Sequence, residues 1–523
     1  MTLNVKAKIL FVIILFSTNV NSQTFTRKFP ISQSSQSYNL GSCAPIVQTS
    51  DGGYILNYNY GYPDIHGGLI FSEIIKTDAT FLPLWKKELW GSNGKKTFVF
   101  NDNSLILFEN AFSFNSFSFS LEKFDGNGQT IWRKYDFEIY PNKITIQDAM
   151  LKDINTIKLA GIKEINFGQI FGYSTQPVIM DFDLNGNYIQ GISLSIPTIN
   201  YGGIENICKE TSGNYYVIIR NLTSRYIAKF NSTNTLIWCK NLNLNNYNFY
   251  DINSSIVLNN GDLLIGGSYN NYSFNKLTFA LVRITMDGNL VWSKTINDFS
   301  TSISSLKELS TNEIIVTGTI SENYEPRNVI MKIDGNGNSI WAKKYSNAFS
   351  ISELFQKTTN DWYYSAFSYS TSENNPFVFN TENNGNTTCN QEDITFNFIN
   401  NPSSLSQATI VTNSLNLLTP SIINTGQSNP QTFEDNCIPL LSNPSFNQII
   451  DCKIFPNPSN GQINISSKNL INKITVNNIL GQSVCEFYPN GTDSNFMIQN
   501  SGMYLVTVET EIGIQTFKVI ITK

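Results

Sequence analysis

The stretch Lys332-Ile333-Asp334-Gly335-Asn336-Gly337-Asn338-Ser339-Ile340-Trp341 is the clearest copy of a unit that recurs along most of this 523-residue chain. An apolar strand ends in a charged residue, a turn of Asp, Gly and Asn follows, and a Trp closes the unit seven positions after the Asp. The same offset joins Asp78 to Trp85, Asp125 to Trp132, Asn231 to Trp238, and Thr285 to Trp292. Asp183 reaches Gln190 at this offset, so one copy has lost its Trp. A fixed period of about fifty residues indicates a solenoid, a propeller or an array of small domains.

A second anchor lies upstream of each closing position, where a turn is followed by an apolar, β-branched or aromatic run. The first apolar residues of these runs are Tyr54, Leu105, Ile157, Tyr215, Leu263, Ile314 and Trp362. Their spacing of 48 to 58 residues defines seven copies, and it assigns Trp362 to the second anchor rather than the first. The closing position of the seventh copy falls on Cys389.

Each copy has the composition of four short antiparallel strands, with β-branched and aromatic runs separated by turn residues. The Asp-Gly-Asn-Gly segments supply the residues with positive φ that tight hairpins require. We therefore predict an all-β fold, a seven-bladed β-propeller of four-stranded blades over residues 23–394. The segment Phe25–Phe29 resembles the last strand of a unit, so we expect it to complete the last blade and cover its open edge. Residues 395–451 lose the repeat, and we expect an irregular extension and linker there.

Composition limits the function classes. Charged residues make up 14% of the chain and the net charge is −5, which argues against nucleic-acid binding because that requires a basic face. Aromatic residues reach 13%, and the sequence has none of the Ala, Leu, Glu and Lys runs of long helices. The seven cysteines are too few to form a disulfide framework. Cys208 with Cys239, and Cys389 with Cys437, are candidate pairs that the sequence leaves open.

The N-terminus has the pattern of a signal peptide over residues 1–22. Lys6 and Lys8 precede the apolar run Ile9–Phe16, which is too short to span about 30 Å of hydrocarbon. The sequence therefore predicts export of the mature chain.

Residues 452–523 form a separate unit at the C-terminus. It contains Ile454-Phe455-Pro456-Asn457-Pro458, Gly461-Gln462-Ile463-Asn464-Ile465, Val476-Asn477-Asn478-Ile479-Leu480-Gly481-Gln482, Ser501-Gly502-Met503-Tyr504-Leu505-Val506, and a final strand ending in Lys523. This series resembles the type IX secretion C-terminal sorting domain, and its motif residues are Pro456, Asn457, Pro458, Gly461, Gly481, Gly502 and Tyr504.

The resemblance to the sorting domain implies handling by the type IX secretion machinery. It also implies delivery to the cell surface or the medium, by attachment to the outer membrane rather than insertion. The alternation of short strands with Gly and Pro turns independently predicts a small Ig-like β-sandwich.

Metal, cofactor and catalytic signals are weak. His66 is the single histidine, which excludes a multi-His zinc site. The loop beginning at Asp183 resembles a calcium loop, but its twelfth position is Leu194 instead of a bidentate acid. We therefore predict no metal, no cofactor and no catalytic residue.

Tyrosines in the loops between second and third strands are the candidate ligand contacts, because loops on a rigid scaffold carry function. They are Tyr60, Tyr62, Tyr269, Tyr272 and Tyr324. The favoured interpretation is an exported cell-surface or extracellular protein that binds a glycan or another protein, rather than an enzyme. The alternatives are a secreted polysaccharide hydrolase, with acids from several blades at the mouth of the channel, and a structural repeat protein without a small ligand.

Overall fold

The computed structural model of the chain is built from β-strands, and the residues that it describes contain no helix. The described residues are 26–29, 39–62, 69–90, 92–113, 116–135, 143–166, 173–196, 202–221, 224–244, 249–271, 276–296, 300–322, 325–345, 348–349, 351, 355–356, 362–368, 376–387, 391–401, 403–415, 417, 421–422, 434–435, 452–478, 483–489, 491–510 and 513–522. The chain divides into two compact units, Met1–Cys437 and Ile438–Lys523. The all-β prediction is confirmed, and the predicted signal peptide lies outside the described residues.

Strands in the first unit group into sheets in chain order after β1 (Thr26–Lys28). The first sheet contains β2 (Asn39–Cys43), β3 (Val47–Gln48), β4 (Tyr54–Tyr62), β5 (Leu69–Thr77) and β6 (Pro83–Trp90). The second contains β7 (Ser92–Val99), β8 (Leu105–Ser113), β9 (Ser116–Phe124) and β10 (Thr130–Tyr135). The third contains β11 (Ile144–Asp153), β12 (Thr156–Asn166), β13 (Tyr173–Asp183) and β14 (Tyr188–Ser195). The fourth contains β15 (Gly202–Lys209), β16 (Tyr215–Asn221), β17 (Arg225–Phe230) and β18 (Leu236–Asn243).

The remaining sheets of this unit continue the same order. The fifth contains β19 (Phe249–Val257), β20 (Leu263–Asn271), β21 (Lys276–Ile284) and β22 (Leu290–Ile296). The sixth contains β23 (Ser300–Glu308), β24 (Ile314–Glu322), β25 (Glu325–Ile333) and β26 (Ser339–Tyr345). The seventh contains β27 (Ala348–Phe349), β28 (Phe355–Gln356), β29 (Trp362–Ser368) and β30 (Pro376–Thr381).

The sheets are antiparallel meanders arranged as a β-propeller. First strands of neighbouring sheets contact each other at the centre, as β11, β15, β19 and β23 do in turn. One hydrophobic cluster joins each sheet to the next, because the two faces of every sheet are apolar. A further cluster joins Tyr363 and Val378 of the seventh sheet to Tyr54 and Tyr58 of the first, so the described sheets form a closed ring.

The N-terminal strand lies at the end of the ring and not at its beginning. β1 pairs antiparallel with β30, and Arg27 lies opposite Val378. Phe29 is fully buried in the cluster between the seventh and first sheets. The first strand of the chain thereby provides the fourth strand of the last sheet.

Each closing Trp packs on the hairpin turn of the following sheet. The fourth residue of every such turn has positive φ, and five of these residues are glycines: Gly128, Gly186, Gly288, Gly337 and Gly385. A Cβ at each of the five would lie 2.6–3.2 Å from carbon atoms of the preceding Trp ring. The indole nitrogens of Trp85, Trp238 and Trp292 also donate hydrogen bonds of 3.0–3.2 Å to backbone carbonyls of the next turn. The Trp residues therefore join neighbouring sheets, as their fixed offset indicated.

The segment after the seventh sheet is not irregular over its described part, contrary to our expectation. It contains β31 (Gln391–Asp393), β32 (Phe398–Asn400), β33 (Ser404–Gln407), β34 (Val411–Ser414), β35 (Ser421–Ile422) and β36 (Glu434–Asp435). These strands pair in turn with the outermost strands β26, β22, β18, β14, β10 and β1. We call the described residues between 391 and 435 the belt, because their strands follow the outer rim of the ring against the order of the sheets. Its strands have two to four residues and few apolar side chains, so their composition gives no strand signal.

The belt has a register of seven residues per sheet over its first four contacts. The backbone N–H groups of Ile394, Asn401, Ala408 and Leu415 donate to the carbonyls of Ala342, Ser293, Cys239 and Gly191, at 2.9–3.1 Å. Each acceptor directly follows the closing position of its sheet. Buried Phe396, Ile410 and Leu415 complete three of the clusters between sheets at the outer rim.

The C-terminal unit is one connected antiparallel sheet around a single core. Its strands are β37 (Cys452–Phe455), β38 (Gln462–Asn478), β39 (Ser483–Phe487), β40 (Gly491–Met497), β41 (Gly502–Thr510) and β42 (Gly513–Ile521). The beginning of β38 pairs with β37 and β40, and its end pairs with β39 and β41. The Ig-like description stays a prediction.

One of the two candidate disulfides is wrong. Cys208 on β15 and Cys239 on β18 are both free thiols, and two strands separate them within the fourth sheet. Cys389 and Cys437 lie outside the described residues.

Candidate functional site

The ring has two ends with different connections. Hairpins from first to second strand and from third to fourth strand lie at one end, which we call the turn face. Connections from second to third strand and from fourth strand to the next sheet lie at the other end, which we call the loop face. The turn face is occupied by the packing of Trp on turns, so the loop face is the end that is available for variable side chains.

Among the five predicted ligand contacts, Tyr269 is the one whose side chain the structure describes. Tyr269 is 1% exposed and belongs to the core between the fourth and fifth sheets, which rules out a surface contact. It ends a stripe of alternating inward residues on β20, which explains its burial. Tyr60 and Tyr62 lie in the last part of β4, toward the loop face. Tyr272 and Tyr324, like the lone His66, lie outside the described residues.

A repeated bulge in the first strands prepares a set of equivalent positions near the loop face. The register of the first and second strands shifts by one residue in the second to sixth sheets, and the extra residues are Lys95, Gln147, Glu205, Asn253 and Ser304. A β-bulge re-aims side chains and is frequent beside functional sites. In this chain it places one residue of variable type at the same point of each repeat.

The interface between the fourth and fifth sheets departs from the other repeats. Arg220 lies on the second strand of the fourth sheet. The equivalent residues of the second, third, fifth and sixth sheets are Asn110, Ile162, Ser268 and Thr319. The first-strand residues equivalent to Asp251 are Asn93, Thr145, Gly203 and Ser302. Among the second to sixth sheets, the interface between the fourth and fifth is therefore the one with charge at all three positions. Glu205 is the bulge residue, Arg220 the second-strand residue, and Asp251 the first-strand residue of the next sheet.

These three residues form a charged cluster with Arg225. Arg225 Nε donates to Glu205 Oε2 at 2.7 Å, and its Nη1 donates to the carbonyl of Asn221 at 3.2 Å. Arg220 lies farther away, with its Nε 3.8 Å from Glu205 Oε1 and its Nη1 4.0 Å from Asp251 Oδ1. Arg225 therefore fixes one oxygen of Glu205, while Arg220 approaches the other oxygen without a hydrogen bond.

Burial differs within the charged cluster. The side chains of Arg225 and Glu205 are 2% and 10% exposed, whereas those of Arg220 and Asp251 are 48% and 42% exposed. Burial raises the pKa of Glu205, and the opposing attraction of Arg225 and Arg220 does not cancel this effect. The cluster thus has a buried base, formed by Glu205 and Arg225, and an exposed rim, formed by Arg220 and Asp251, at the loop-face end of β15, β16, β17 and β19.

Other buried acids are committed to ion pairs inside the ring. Glu73 pairs with Lys86 at 2.9 Å, and Glu109 pairs with Arg133 at 3.0 Å. All four side chains are at most 6% exposed. They lie on strands of the first and second sheets, and as buried ion pairs we assign them to the scaffold.

The described residues contain no group of three His, Cys, Asp or Glu side chains that could hold a metal ion. Within the same residues, no helix is long and apolar enough to cross a membrane.

Asn457 of the sorting motif contacts the last strand of the C-terminal sheet, β42. Asn457 Nδ2 donates to the carbonyl of Lys518 at 2.6 Å, and Asn457 Oδ1 accepts from the N–H of Ile520 at 2.9 Å. The Asn between Pro456 and Pro458 thereby holds the last strand of the chain. Tyr504 is buried, and its hydroxyl donates to the carbonyl of Asn500 at 3.0 Å.

Two glycines of the motif are described. Gly461 has φ of 122° and donates its N–H to Ser459 Oγ at 3.0 Å, which places it in a tight turn before β38. Gly502 lies beside the Tyr504 ring. Gly481 lies outside the described residues.

Sequence reasoning missed the charged cluster, because Glu205, Arg220, Arg225 and Asp251 come from four different strands and show no spacing motif. A signal was nevertheless present. Alignment of the repeats on their first apolar residues would have shown Arg220 as a charged residue where the other copies are polar or apolar.

The solved structures that are similar to this chain have low sequence identity and low TM-scores to it. The structure of polysaccharide lyase Uly1 has 10% identity and a TM-score of 0.40, and the match covers 70% of this chain and 98% of that one. The Dos1 propeller has 10% identity and a TM-score of 0.38, with 69% and 94% of the two chains covered. PorZ, a surface component of the type-IX secretion system of Porphyromonas gingivalis, has 7% identity and a TM-score of 0.22, with 92% and 75% covered. A comparison with curated proteins gives no match.

The family comparison concerns the C-terminal unit. Residues 453–522 match the family model described as secretion system C-terminal sorting domain. This range covers β37 to β42 and the Asn457 contacts. The chain therefore carries a type IX C-terminal sorting domain that follows its β-propeller in sequence, and this domain directs it to a secreted or cell-surface location.

Proposed function

We propose that this chain is an exported binding protein that acts outside the cell, and that its loop face takes the ligand. The charged cluster between the fourth and fifth sheets is the observation that carries the proposal. The equivalent positions of the other four sheets lack this combination of charges, and burying a charge costs desolvation energy. Arg225 holds the Glu205 carboxylate in place before a ligand arrives, which lowers the entropic cost of binding.

The ligand contacts of the proposal are the exposed members of the cluster and the loop tyrosines that stay predicted. Arg220 and Asp251 provide charge at the rim. Tyr60, Tyr62, Tyr272 and Tyr324 would supply aromatic area from other connections of the ring, whereas Tyr269 is dropped because it is buried. A glycan or a surface protein fits this combination.

Binding of the full-length exported chain to glycan and peptide arrays tests the proposal. We expect a defined subset of spots to bind wild type, and Arg220→Gln to lose this binding. Lys294→Gln is the matched control, because it removes an exposed cation on β22 whose partner is the Asn338 side chain. Equal binding by wild type and Arg220→Gln, or no binding to either array, would contradict a ligand site at this rim.

A second candidate function is hydrolysis of a polysaccharide. Glu205 and Asp251 both lie within 4.0 Å of the Arg220 guanidinium, and burial raises the pKa of Glu205 as in a general acid. Binding is favoured over hydrolysis because Arg225 holds one Glu205 oxygen at 2.7 Å and stabilises its ionised form. New reducing ends in a polysaccharide incubation, lost in Glu205→Gln, would establish the enzyme instead.

A further inference from the structure

We propose that the charged cluster binds an uncharged, hydroxyl-rich ligand, namely a neutral saccharide. The inference rests on the proposed binding function and assigns the ligand class of the same site. It follows from three properties of the cluster: the free hydrogen-bonding capacity of Glu205, Arg220 and Asp251, the order of these three groups in space, and the charge balance that they reach together with Arg225.

Hydrogen-bonding capacity is left over where the buried base of the cluster meets its exposed rim. Glu205 Oε1 is buried and has no hydrogen-bond partner among the described residues. Arg220 Nε lies 3.8 Å from Glu205 Oε1, and Arg220 Nη1 lies 4.0 Å from Asp251 Oδ1. Both distances are beyond hydrogen-bonding range. An orphaned acceptor in a side chain that is nine-tenths buried is costly unless something else satisfies it. A ligand that donates to Glu205 Oε1 and accepts from Arg220 would remove that cost.

The charges of the cluster cancel. Two carboxylates face two guanidinium groups, so the site has no net attraction for an ion. An anionic group on Arg220 would lie beside Glu205 and Asp251, and a cationic group on either acid would lie within about 4 Å of Arg220, where like charges repel. A neutral ligand avoids both penalties.

The order of the groups selects hydroxyls among neutral ligands. Two acceptors flank one donor, so a matching ligand needs two donors beside an acceptor. Adjacent hydroxyls of a sugar ring meet this requirement, because each hydroxyl donates one hydrogen and accepts at its lone pairs. The edge of an extended peptide presents one N–H and one C=O together, and therefore supplies a single donor.

The scaffold holds this arrangement in place before a ligand arrives. The bulge at Glu205 re-aims its carboxylate, and Arg225 holds one of its oxygens from the buried side. Arg220 continues the stripe of Tyr216 and Ile218 that packs against the fifth sheet. Because Glu205 Oε1 is buried, a ligand hydroxyl reaches it when the half-exposed Arg220 side chain shifts, while Arg225 keeps the carboxylate of Glu205 in place.

Isothermal titration calorimetry on the full-length protein tests the inference, with cellohexaose, maltohexaose and mannohexaose as neutral probes. We expect at least one hexasaccharide to bind. Arg220→Gln and Asp251→Asn should each weaken it about tenfold or more, as when charge-assisted hydrogen bonds are removed. Lys294→Gln should leave it unchanged. Because Arg220 and Asp251 are half exposed, both variants should keep the thermal midpoint of wild type, which circular dichroism checks.

Ionic strength distinguishes a neutral ligand from a charged one. Binding should change less than about twofold when sodium chloride is raised tenfold from 0.05 M, since screening acts on net charges. Hexagalacturonate and an uncharged decapeptide are the comparison probes. One outcome separates the inference from the proposed function: hexagalacturonate or the peptide binds, Arg220→Gln removes that binding, and the neutral hexasaccharides do not bind. The assignment of a neutral saccharide would then be wrong, while the proposed binding function would stand.

Two further results would overturn the inference. Binding of a neutral hexasaccharide that neither Arg220→Gln nor Asp251→Asn weakens would place the saccharide site elsewhere. Absence of binding by all three hexasaccharides would reject the ligand class, and the array experiment would then decide the proposed function separately.

Discussion

The smallest repeated contact between sheets joins the closing Trp of one sheet to a turn glycine of the next. In the repeats where the Trp is absent, the glycine is absent as well. Asn234 and Phe81 replace the turn glycine while keeping positive φ, at 66° and 63°. Asn234 follows the sheet in which Gln190 replaces Trp, so no indole lies over it. Phe81 follows the seventh sheet, whose fourth strand is β1. Where the indole covers the turn, no Cβ fits; where it does not, a side chain is present.

Gly337→Ala should therefore destabilise the ring. The new Cβ would lie about 3.0 Å from the Trp292 ring at a φ of 73°, and we expect an unfolding cost of about 2–4 kcal/mol from overpacking and the left-handed backbone. Gly335→Ala, in the same turn, has its nearest atom at 3.5 Å and should cost less than about 1 kcal/mol. Chemical denaturation measures both, and equal costs for the two variants would contradict the Trp contact as the cause.

Asp51 gives the stability of the first sheet a dependence on pH. Partial burial acts to raise its pKa, but hydrogen bonds from Lys76, Thr49 and the Gly53 N–H outweigh this and hold the pKa at about 2. Because this pKa lies below the unfolded value of 3.8, the contribution is fully present above pH 3.8 and is lost as pH falls through 2. We expect Asp51→Asn to lower the thermal midpoint at pH 6, and the difference from wild type to shrink toward pH 2. A difference that is constant with pH would show that the carboxylate charge is not responsible.

At the scale of one element, the third sheet replaces the Trp contact by a buried polar network. Lys158 pairs with Asp181, and it donates to Asn234 Oδ1 of the next turn at 2.7 Å. Tyr215 donates to the same oxygen at 2.8 Å, and Gln190 Nε2 donates to Asp181 at 2.9 Å. The positions that hold Trp and Gly elsewhere therefore carry Gln and Asn in one hydrogen-bonded set.

Asp181→Ala should strongly destabilise this interface. It would leave the Lys158 ammonium buried without its anion, a loss of about 3–5 kcal/mol for a broken buried pair. Glu322→Ala is the control, because its partner Lys344 is partly exposed and such pairs contribute about 0–1 kcal/mol. Urea denaturation compares the two, and a cost for Asp181→Ala no greater than for the control would mean that the network contributes little.

At the scale of the whole molecule, the belt covers the outer edges of the ring. The outermost strand of a propeller sheet has unpaired N–H and C=O groups, which invite pairing with another chain. The belt pairs with six of the seven outermost strands within the described residues, and its last strand lies beside β1. Both ends of the propeller chain are therefore held on the seventh sheet.

Removal of belt anchors should loosen the rim. We expect Phe396→Ala combined with Ile410→Ala to cost about 4–8 kcal/mol, since each is a buried large side chain. Hydrogen exchange in β18 and β22, which pair with the belt, should rise more than in the central strands β15 and β19. Val411→Ala is the control, because this belt residue is 48% exposed. Unchanged exchange in β18 and β22 would show that the rim is stable without the belt.

Deletion of residues 452–523 should separate folding from delivery. The C-terminal unit has its own core, so we expect the truncated chain to keep the melting behaviour of the ring while failing to reach the cell surface or the medium. Cell fractionation with circular dichroism of the retained protein measures both. Normal surface delivery of the truncated chain would contradict the role of the sorting domain.

Much of the scaffold could be predicted from local patterns. Strands, turns, the Trp contacts and the sorting motif are encoded by residues close in sequence, because strand period and turn chemistry act over a few positions. Tyr269 shows the limit of this approach. Its place between the second and third strands of a repeat suggested an exposed loop, but it lies on β20 among the residues that face the core, and its ring is buried.

By itself, the sequence determined the all-β class, the repeated unit and the export domain, because repetition and motif order survive in one dimension. Only the tertiary structure decided the course of the belt and the position of the charged cluster. The belt residues are Asn-rich and Ser-rich and form strands because the sheet edges offer unpaired groups to them, not because of their own propensity. The cluster joins Glu205 to Asp251 across two sheets, and such a meeting depends on how the ring packs rather than on any spacing along the chain.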